Sequence, residues 1–208
     1  MYIPKPNSGM FDMSQAEQDL ERLIAQPTAQ QLRPCPNCQL PCDSDTPAHC
    51  AQNCEPSCVN APAALSSEPE QHPVERHIVN IVFELSSLRL LQPCWSCEGH
   101  LNGQGDLWKL PQVSFYASSP LYPQLLVCYL IRLKGNKQLH YPWHISMVNF
   151  GQTWVPGYQL EAALNHIDEE VQLERLQQDL QTISANLAER VKQEARQMLA
   201  QIRQGGAG

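Results

Sequence analysis

Six cysteines lie in residues 35–58, CPNCQLPCDSDTPAHCAQNCEPSC, of a 208-residue chain that has nine in total. Almost no other apolar side chain occurs in this stretch, so it cannot fold by burying a hydrophobic core of its own. Cysteines that recur this often in a polar loop require cross-links, and the two available kinds are thiolate–metal bonds and disulfides. We therefore expect cross-links at the cysteines to determine the conformation of this segment.

The cysteine spacing, C-x2-C-x3-C-x7-C-x3-C-x3-C, favours a metal. Loops with two thiolates two to four residues apart turn both sulfurs toward one tetrahedral zinc ion. An iron–sulfur cluster is the alternative cofactor, although the repeated C-x-x-C of common ferredoxins is not met. A set of disulfides or an unstructured loop is the interpretation without metal.

A second cluster, Cys94-Trp-Ser-Cys97, is followed closely by His100. It can serve as a metal clip shared with the upstream cysteines or with His100, or as a thioredoxin-like dithiol. With it the chain has enough thiolates for two four-thiolate sites. The predicted metal ligands are Cys35, Cys38, Cys42, Cys50, Cys54, Cys58, Cys94 and Cys97. The ninth cysteine, Cys128, lies in the apolar run LLVCYLIRL and is expected to be a packed core thiol.

The distribution of charge argues against nucleic-acid binding. The formal net charge is −7, and no lysine or arginine occurs between Arg33 and Arg76. A nucleic-acid reader needs basic residues to displace counterions from phosphates. The N-terminus has no signal-peptide pattern, and no apolar run reaches the length of a membrane span. We therefore expect a cytoplasmic protein whose thiols stay reduced.

The order of predicted elements indicates an α+β fold. A helix is expected from about residue 73 to 91, strands at 93–97, 113–117 and 143–150, and a buried helix at 121–133. The predicted division is an N-terminal arm with a short helix (1–30), the cysteine-rich metal-binding segment (31–62), a linker (63–76), an α+β body (77–157) and a long C-terminal helix (158–204).

The C-terminal helix is predicted from apolar residues spaced mostly three or four apart between Leu160 and Ile202, without proline or interior glycine. The pattern has coiled-coil character, and its first half is acidic while its second half is basic. This polarity favours antiparallel pairing with another copy. Residues 160–202 are therefore the expected contact for self-association or for a protein partner.

One further pattern concerns histidines. His100 is followed by a glycine three residues on and by Asp106, and another histidine, His144, lies in the distant run YPWHI. Over residues 96–106 and 141–145 this resembles the zinc site of D-alanyl-D-alanine carboxypeptidases and Hedgehog-type proteins. The resemblance implies that His100, Asp106 and His144 bind zinc and hold a water for amide hydrolysis. The spacing from His100 to Asp106 is one residue shorter than in that family.

The favoured interpretation is a cytoplasmic zinc-binding accessory or assembly protein, not an enzyme, whose thiolate sites are structural and whose C-terminal helix contacts a partner. Metal binding then supplies the folding free energy that the cysteine-rich segment lacks. The alternatives are a metal-dependent hydrolase and an iron–sulfur or dithiol redox protein.

Overall fold

The computed structural model describes residues 13–26, 74–149, 156–164 and 171–205, together with the backbone of 33–34 and 41–42. Most of the cysteine-rich segment is therefore outside the described residues, and the metal ligands predicted there remain predictions. The ligands concerned are Cys35, Cys38, Cys50, Cys54 and Cys58, and for Cys42 only the backbone is described.

The described residues form a mixed α+β fold, as predicted, with five helices and an antiparallel four-stranded sheet. The helices are α1 (Met13–Ile24), α2 (Val79–Ser87), α3 (Leu121–Gly135), α4 (Leu173–Ser184) and α5 (Leu187–Gly205). The strands are β1 (Arg33–Pro34), β2 (Pro41–Cys42), β3 (Leu91–Cys97), β4 (His100–Leu101), β5 (Leu107–Lys109), β6 (Gln112–Ala117), β7 (Trp143–Val148) and β8 (Gly157–Ala162). None of these helices is long and apolar enough to cross a membrane.

The four-stranded sheet has the order β3-β6-β8-β7, and β4 and β5 form a separate two-stranded hairpin. Alternate residues such as Val113, Phe115 and Leu160 are buried in a core shared with all five helices. The intervening residues carry polar side chains, and Gln159 Nε2 donates hydrogen bonds to Gln112 and Glu161 at 2.9 Å and 2.8 Å. The sheet is thus apolar on one face and polar on the other, the alternation expected for strands with one buried side.

The buried helix α3 begins and ends close to its predicted bounds. Ser119 Oγ accepts a hydrogen bond from Leu121 N at 3.3 Å, and Pro120 has a φ of −65°, which suits the start of a helix. The residues that α3 buries recur at helical spacing, and Cys128 lies on the opposite, exposed side. The prediction that Cys128 is a core thiol is therefore wrong, because the 3.6-residue period, rather than the apolar surroundings in sequence, decides which side is buried.

The helix before β3 is shorter than predicted. It begins at Val79 instead of about residue 73, and Arg89, with a φ of 55°, follows its last turn. The residues ahead of it are held by other partners, since His77 N donates a hydrogen bond to Glu98 Oε2 at 2.8 Å. The expected strands at 93–97, 113–117 and 143–150 correspond to β3, β6 and β7.

The prediction of one long helix over 158–204 is wrong in two places. The region begins with strand β8, which pairs with β6 on one side and β7 on the other. Leu160 and Ala162 of β8 are buried, and their separation of two positions is the period of a strand. The helical part is then divided at Ala185–Asn186, where Asn186 has a φ of 58°, a left-handed conformation that asparagine tolerates.

The apolar stripe of this region packs within its own chain. Tyr129 of α3 donates a hydrogen bond to the Ile183 carbonyl at 3.2 Å, and α1 lies against α5. The buried apolar residues of α4 and α5 are Leu176, Leu180, Ile183, Leu187, Ala188, Val191, Ala195 and Leu199. The apolar stripe from which a coiled coil was predicted is therefore buried against α1, α2 and α3. Its burial does not require a partner.

Candidate metal centre

The turn from β3 to β4, Cys97-Glu98-Gly99-His100, is built around a glycine. Gly99 has a φ of +84°, and a Cβ atom there would lie 2.7 Å from Leu173 Cδ1 and 2.8 Å from Pro111 Cδ. Only a residue without a side chain fits both the left-handed backbone and the space. This tight turn allows Cys97 and His100, three positions apart, to present their side chains on the same side.

Cys97 and His100 meet Glu75, which lies just before α2. One potential ligand atom from each residue lies within 4.8 Å of the other two. Glu75 Oε1 is 3.0 Å from His100 Nε2, and Cys97 is buried. Within the described ranges, this is the one cluster of at least three histidine, cysteine or acidic side chains with such spacing. A thiol, an imidazole and a carboxylate are all ligands of zinc.

The contact between Glu75 and His100 is slightly shorter than a tetrahedral ion requires. With zinc–ligand bonds of about 2.0–2.3 Å, tetrahedral ligand atoms lie roughly 3.3–3.7 Å apart. The 3.0 Å hydrogen bond between Glu75 and His100 would have to open by a few tenths of an ångström to admit the ion. The donor set suits a zinc ion, and its ligand atoms already lie within 4.8 Å of one another.

Hydrogen bonds from the turn orient the Glu75 carboxylate. Glu98 N donates to Glu75 Oε2 at 2.7 Å, which leaves Glu75 Oε1 directed at His100. The Glu98 carboxylate in turn accepts from His77 N, and Gln177 Nε2 of α4 donates to the Glu98 carbonyl at 3.2 Å. Such outer contacts are typical of metal sites, where they fix the ligand geometry.

Two aromatic rings and one ammonium group border the cluster. Trp108 stacks on His100 with a centroid distance of 6.3 Å, and Lys109 Nζ lies 4.8 Å from the centroid of the Trp95 ring. Burial raises the pKa of the Cys97 thiol, and the nearby Glu75 carboxylate also raises it, against the lowering effects of the Gly99 backbone and of the Lys109 charge. The sulfur is therefore a neutral thiol until a cation displaces its proton.

Cys94, the other member of the Cys-x-x-Cys pair, does not belong to this cluster. It lies at the irregularity in β3 between Pro93 and Trp95, and its side chain is exposed. Three residues of extended strand span about 10 Å between Cα atoms, whereas a disulfide needs about 4.4–6.8 Å. Desolvation also raises the pKa of Cys94, the opposite of a reactive thiolate. A Cys94–Cys97 dithiol is not supported by this conformation.

The structure does not gather His100, Asp106 and His144 into one site. Asp106 lies in the exposed β4–β5 turn, where its Oδ2 accepts a hydrogen bond from Asn102 Nδ2 at 3.0 Å. His144 Nε2 lies 3.3 Å from Glu161 Oε1 on the polar face of the sheet. Of the three, only His100 is in the Glu75–Cys97–His100 cluster.

Glu75 was not identified from the sequence. It precedes Cys97 by 22 positions, so no local spacing connects the two residues. Cys97 was predicted as one member of the Cys-x-x-Cys pair, and His100 as a ligand shared with that pair and as part of the carboxypeptidase-like pattern. No protein-family profile matches the chain. No curated protein and no solved structure matches it either, so the functional argument depends on the geometry of the cluster.

Proposed function

We propose that this protein is a zinc-binding accessory or assembly protein whose folded body holds one zinc ion at Glu75, Cys97 and His100. The observation that carries the proposal is that these three side chains, from two separate parts of the chain, bring their ligand atoms within 4.8 Å of one another. The carboxylate, the thiolate and the neutral imidazole are each a zinc ligand, and together they supply three of the four ligands of a tetrahedral site.

Zinc is preferred to an iron–sulfur cluster because of the donor set. Iron–sulfur clusters are held mainly by four thiolates, whereas this cluster offers one sulfur, one nitrogen and one oxygen. Zinc accepts all three kinds of ligand at bond lengths of about 2.0–2.3 Å. In the same proposal, the cysteines of residues 35–58 form further structural thiolate sites, because that polar segment needs cross-links to fold.

The proposed partner contact through residues 160–202 has to use a different surface from the apolar stripe. The outward side of α5 is charged and includes an ion pair between Arg196 Nη1 and Glu189 Oε1 at 2.8 Å. We propose that this polar side contacts a protein partner or a second copy. Light scattering of the intact chain tests self-association, and a monomeric mass at all concentrations would contradict it.

A metal-dependent hydrolase is the second candidate, favoured by the number of ligands. Structural zinc sites have four protein ligands, whereas catalytic sites have three and keep a fourth position for water. The cluster supplies three from the described residues. In this alternative the zinc ligands are Glu75, Cys97 and His100, instead of the set with Asp106 and His144 that the resemblance implied.

Zinc content, measured by mass spectrometry on protein purified without a metal-affinity step, tests the proposal. His100→Gln and Glu75→Gln should each lower the zinc content by one ion per chain. His144→Gln is the matched control and should leave the content unchanged. Because the cysteine-rich segment can hold zinc of its own, the difference between variants is informative and the absolute content is not.

Cobalt substitution supplies a second readout of the same site. Cobalt bound to Cys97 should give a sulfur-to-metal charge-transfer band that Cys97→Ser reduces and Cys128→Ser leaves intact. Circular dichroism should show that each variant is folded. If His100→Gln retains all its zinc, or if His144→Gln loses as much as His100→Gln, the proposed ligand set is wrong.

A further inference from the structure

We propose that the zinc site recognises the carboxylate of a small apolar acid, with Lys109 and the exposed Trp95 and Trp108 completing the binding site. This inference rests on the proposed zinc site. It assigns the ligand of the fourth coordination position, which no side chain in the described part of the chain fills beside Glu75, Cys97 and His100. The ligand class is a free monocarboxylate with an aromatic or aliphatic body.

The first observation is the apolar surface beside the metal ligands. Trp108 is 60% exposed, Leu101 is 49% exposed and Trp95 is 43% exposed. These are three of the six large hydrophobic residues exposed within the described part of the chain, and all three lie on β3 or on the β4–β5 hairpin. Tryptophan rings offer large apolar area with little loss of conformational entropy, and exposed apolar clusters mark binding sites.

The second observation is the position of Lys109. It pairs with His100 across the β4–β5 hairpin, and its ammonium lies over the Trp95 ring at 4.8 Å. One ammonium group therefore lies against an aromatic ring, on the residue that pairs with the metal ligand His100. An anionic ligand on the zinc would meet this ammonium, and charge-assisted hydrogen bonds are stronger than neutral ones.

The charge balance selects a single carboxylate. Zinc with a Glu75 carboxylate and a Cys97 thiolate is neutral, and the Lys109 ammonium adds one positive charge. One carboxylate neutralises this charge, whereas a polyanion such as a nucleic acid would leave excess negative charge in a chain whose net charge is already −7. The apolar body of the acid would lie against Trp95 and Trp108.

Calorimetric titration of the zinc-loaded full-length protein with benzoate tests this assignment, with benzamide as the uncharged probe of the same shape. Benzoate should bind at least tenfold more tightly than benzamide. Lys109→Met should weaken benzoate binding by about tenfold, the factor expected for losing one charge-assisted hydrogen bond. Lys109→Arg should retain most of the affinity, and Lys137→Met, which removes an exposed lysine after α3, should have no effect. Trp108→Ala should weaken benzoate and benzamide alike.

The zinc content of the same samples separates the two proposals. If zinc is lost in His100→Gln but benzoate does not bind the zinc-loaded parent protein, the ligand assignment fails and the zinc site stands. If His100→Gln keeps its zinc, the zinc site itself fails. Benzoate binding that is equal to benzamide binding, or that is unchanged in Lys109→Met, also overturns the assignment.

Discussion

Asp179 of α4 is a buried carboxylate whose replacement by asparagine should destabilise the fold strongly. Its exposed fraction is 0%. Oδ1 accepts hydrogen bonds from His140 N and Nδ1, both at 2.8 Å, and Oδ2 accepts from Tyr141 N at 2.9 Å and Trp143 Nε1 at 3.0 Å. This carboxylate therefore fixes the loop that leads into β7. An asparagine side chain at this position would have the same shape but would direct an NH2 group at two of the donors.

The magnitude follows from these contacts. In Asp179→Asn, the His140 ring can switch tautomer so that Nδ1 accepts a hydrogen bond from the asparagine NH2 group. The backbone N–H of His140 faces the same NH2 group and is then left without an acceptor. A buried donor without an acceptor costs about 1–3 kcal/mol, and loss of the charge weakens each of the other three bonds by about 0.5–1 kcal/mol. The expected loss of unfolding free energy for Asp179→Asn is therefore roughly 3–6 kcal/mol.

Urea unfolding monitored by near-ultraviolet circular dichroism measures this loss. The matched control is Asp106→Asn, the same substitution at an exposed position in the β4–β5 turn, where the change should be within about 0.5 kcal/mol. The midpoint should fall without a change in the denaturant slope, since the surface exposed on unfolding is the same. If Asp179→Asn is as stable as Asp106→Asn, the argument from buried hydrogen bonds is wrong.

Three further predictions concern the turn at the cluster, a buried lysine and strand β8. Gly99→Ala should cost about 2 kcal/mol or more in stability and weaken zinc binding, because of its φ of +84° and its contacts with Leu173 and Pro111; Gly103→Ala, where a Cβ meets nothing within 4 Å, should change neither. Equal effects of the two substitutions would contradict the geometry of the turn. Desolvation lowers the pKa of the buried Lys192, so Lys192 binds its proton more tightly in the unfolded chain than in the folded protein. The free energy of unfolding should therefore rise as the pH increases toward the ordinary lysine pKa. Urea titrations between about pH 8 and 10 should show a smaller rise in Lys192→Met, and identical slopes would refute this. Truncation before residue 157 removes β8 together with the core helices α4 and α5, so the remaining chain should lose cooperative unfolding, and a folded fragment would show that these three elements are dispensable.

The elements that could be predicted from the sequence are those specified by local pattern. Strands β3, β6 and β7 and helix α3 follow from alternation, from the cap at Ser119-Pro120 and from length. Cys97 was predicted from the local Cys-x-x-Cys pair, and His100 from its position just after that pair and from the carboxypeptidase-like pattern. The Glu75 contact could not be predicted, because its partners lie beyond α2 in the chain and nothing in the residues around Glu75 differs from an ordinary exposed acid.

The C-terminal region shows how a local pattern can be consistent with two structures. Leu160 and Leu164 are four residues apart, which fits a helix, yet Leu160 and Ala162 also fit the two-residue period of a strand. The pairing of β8 with both β6 and β7 decides between them, and this information is non-local. In the same way, the apolar stripe of α4 and α5 indicates that something must cover it, but α1, α2 and α3 provide the cover in place of a second chain.

The cluster is assembled by the tertiary fold, and this links metal binding to the stability of the body. Glu75 precedes α2, Cys97 ends β3, and the turn between Cys97 and His100 is braced by Gln177 and Leu173 of α4. An ion bound only by this arrangement stabilises the folded state by about 2.7 kcal/mol when its free concentration is about 100 times its dissociation constant. Zinc held by closely spaced cysteines of one loop would stabilise that loop alone. An ion held by the Glu75–Cys97–His100 cluster would therefore couple the presence of metal to the folding of the whole body.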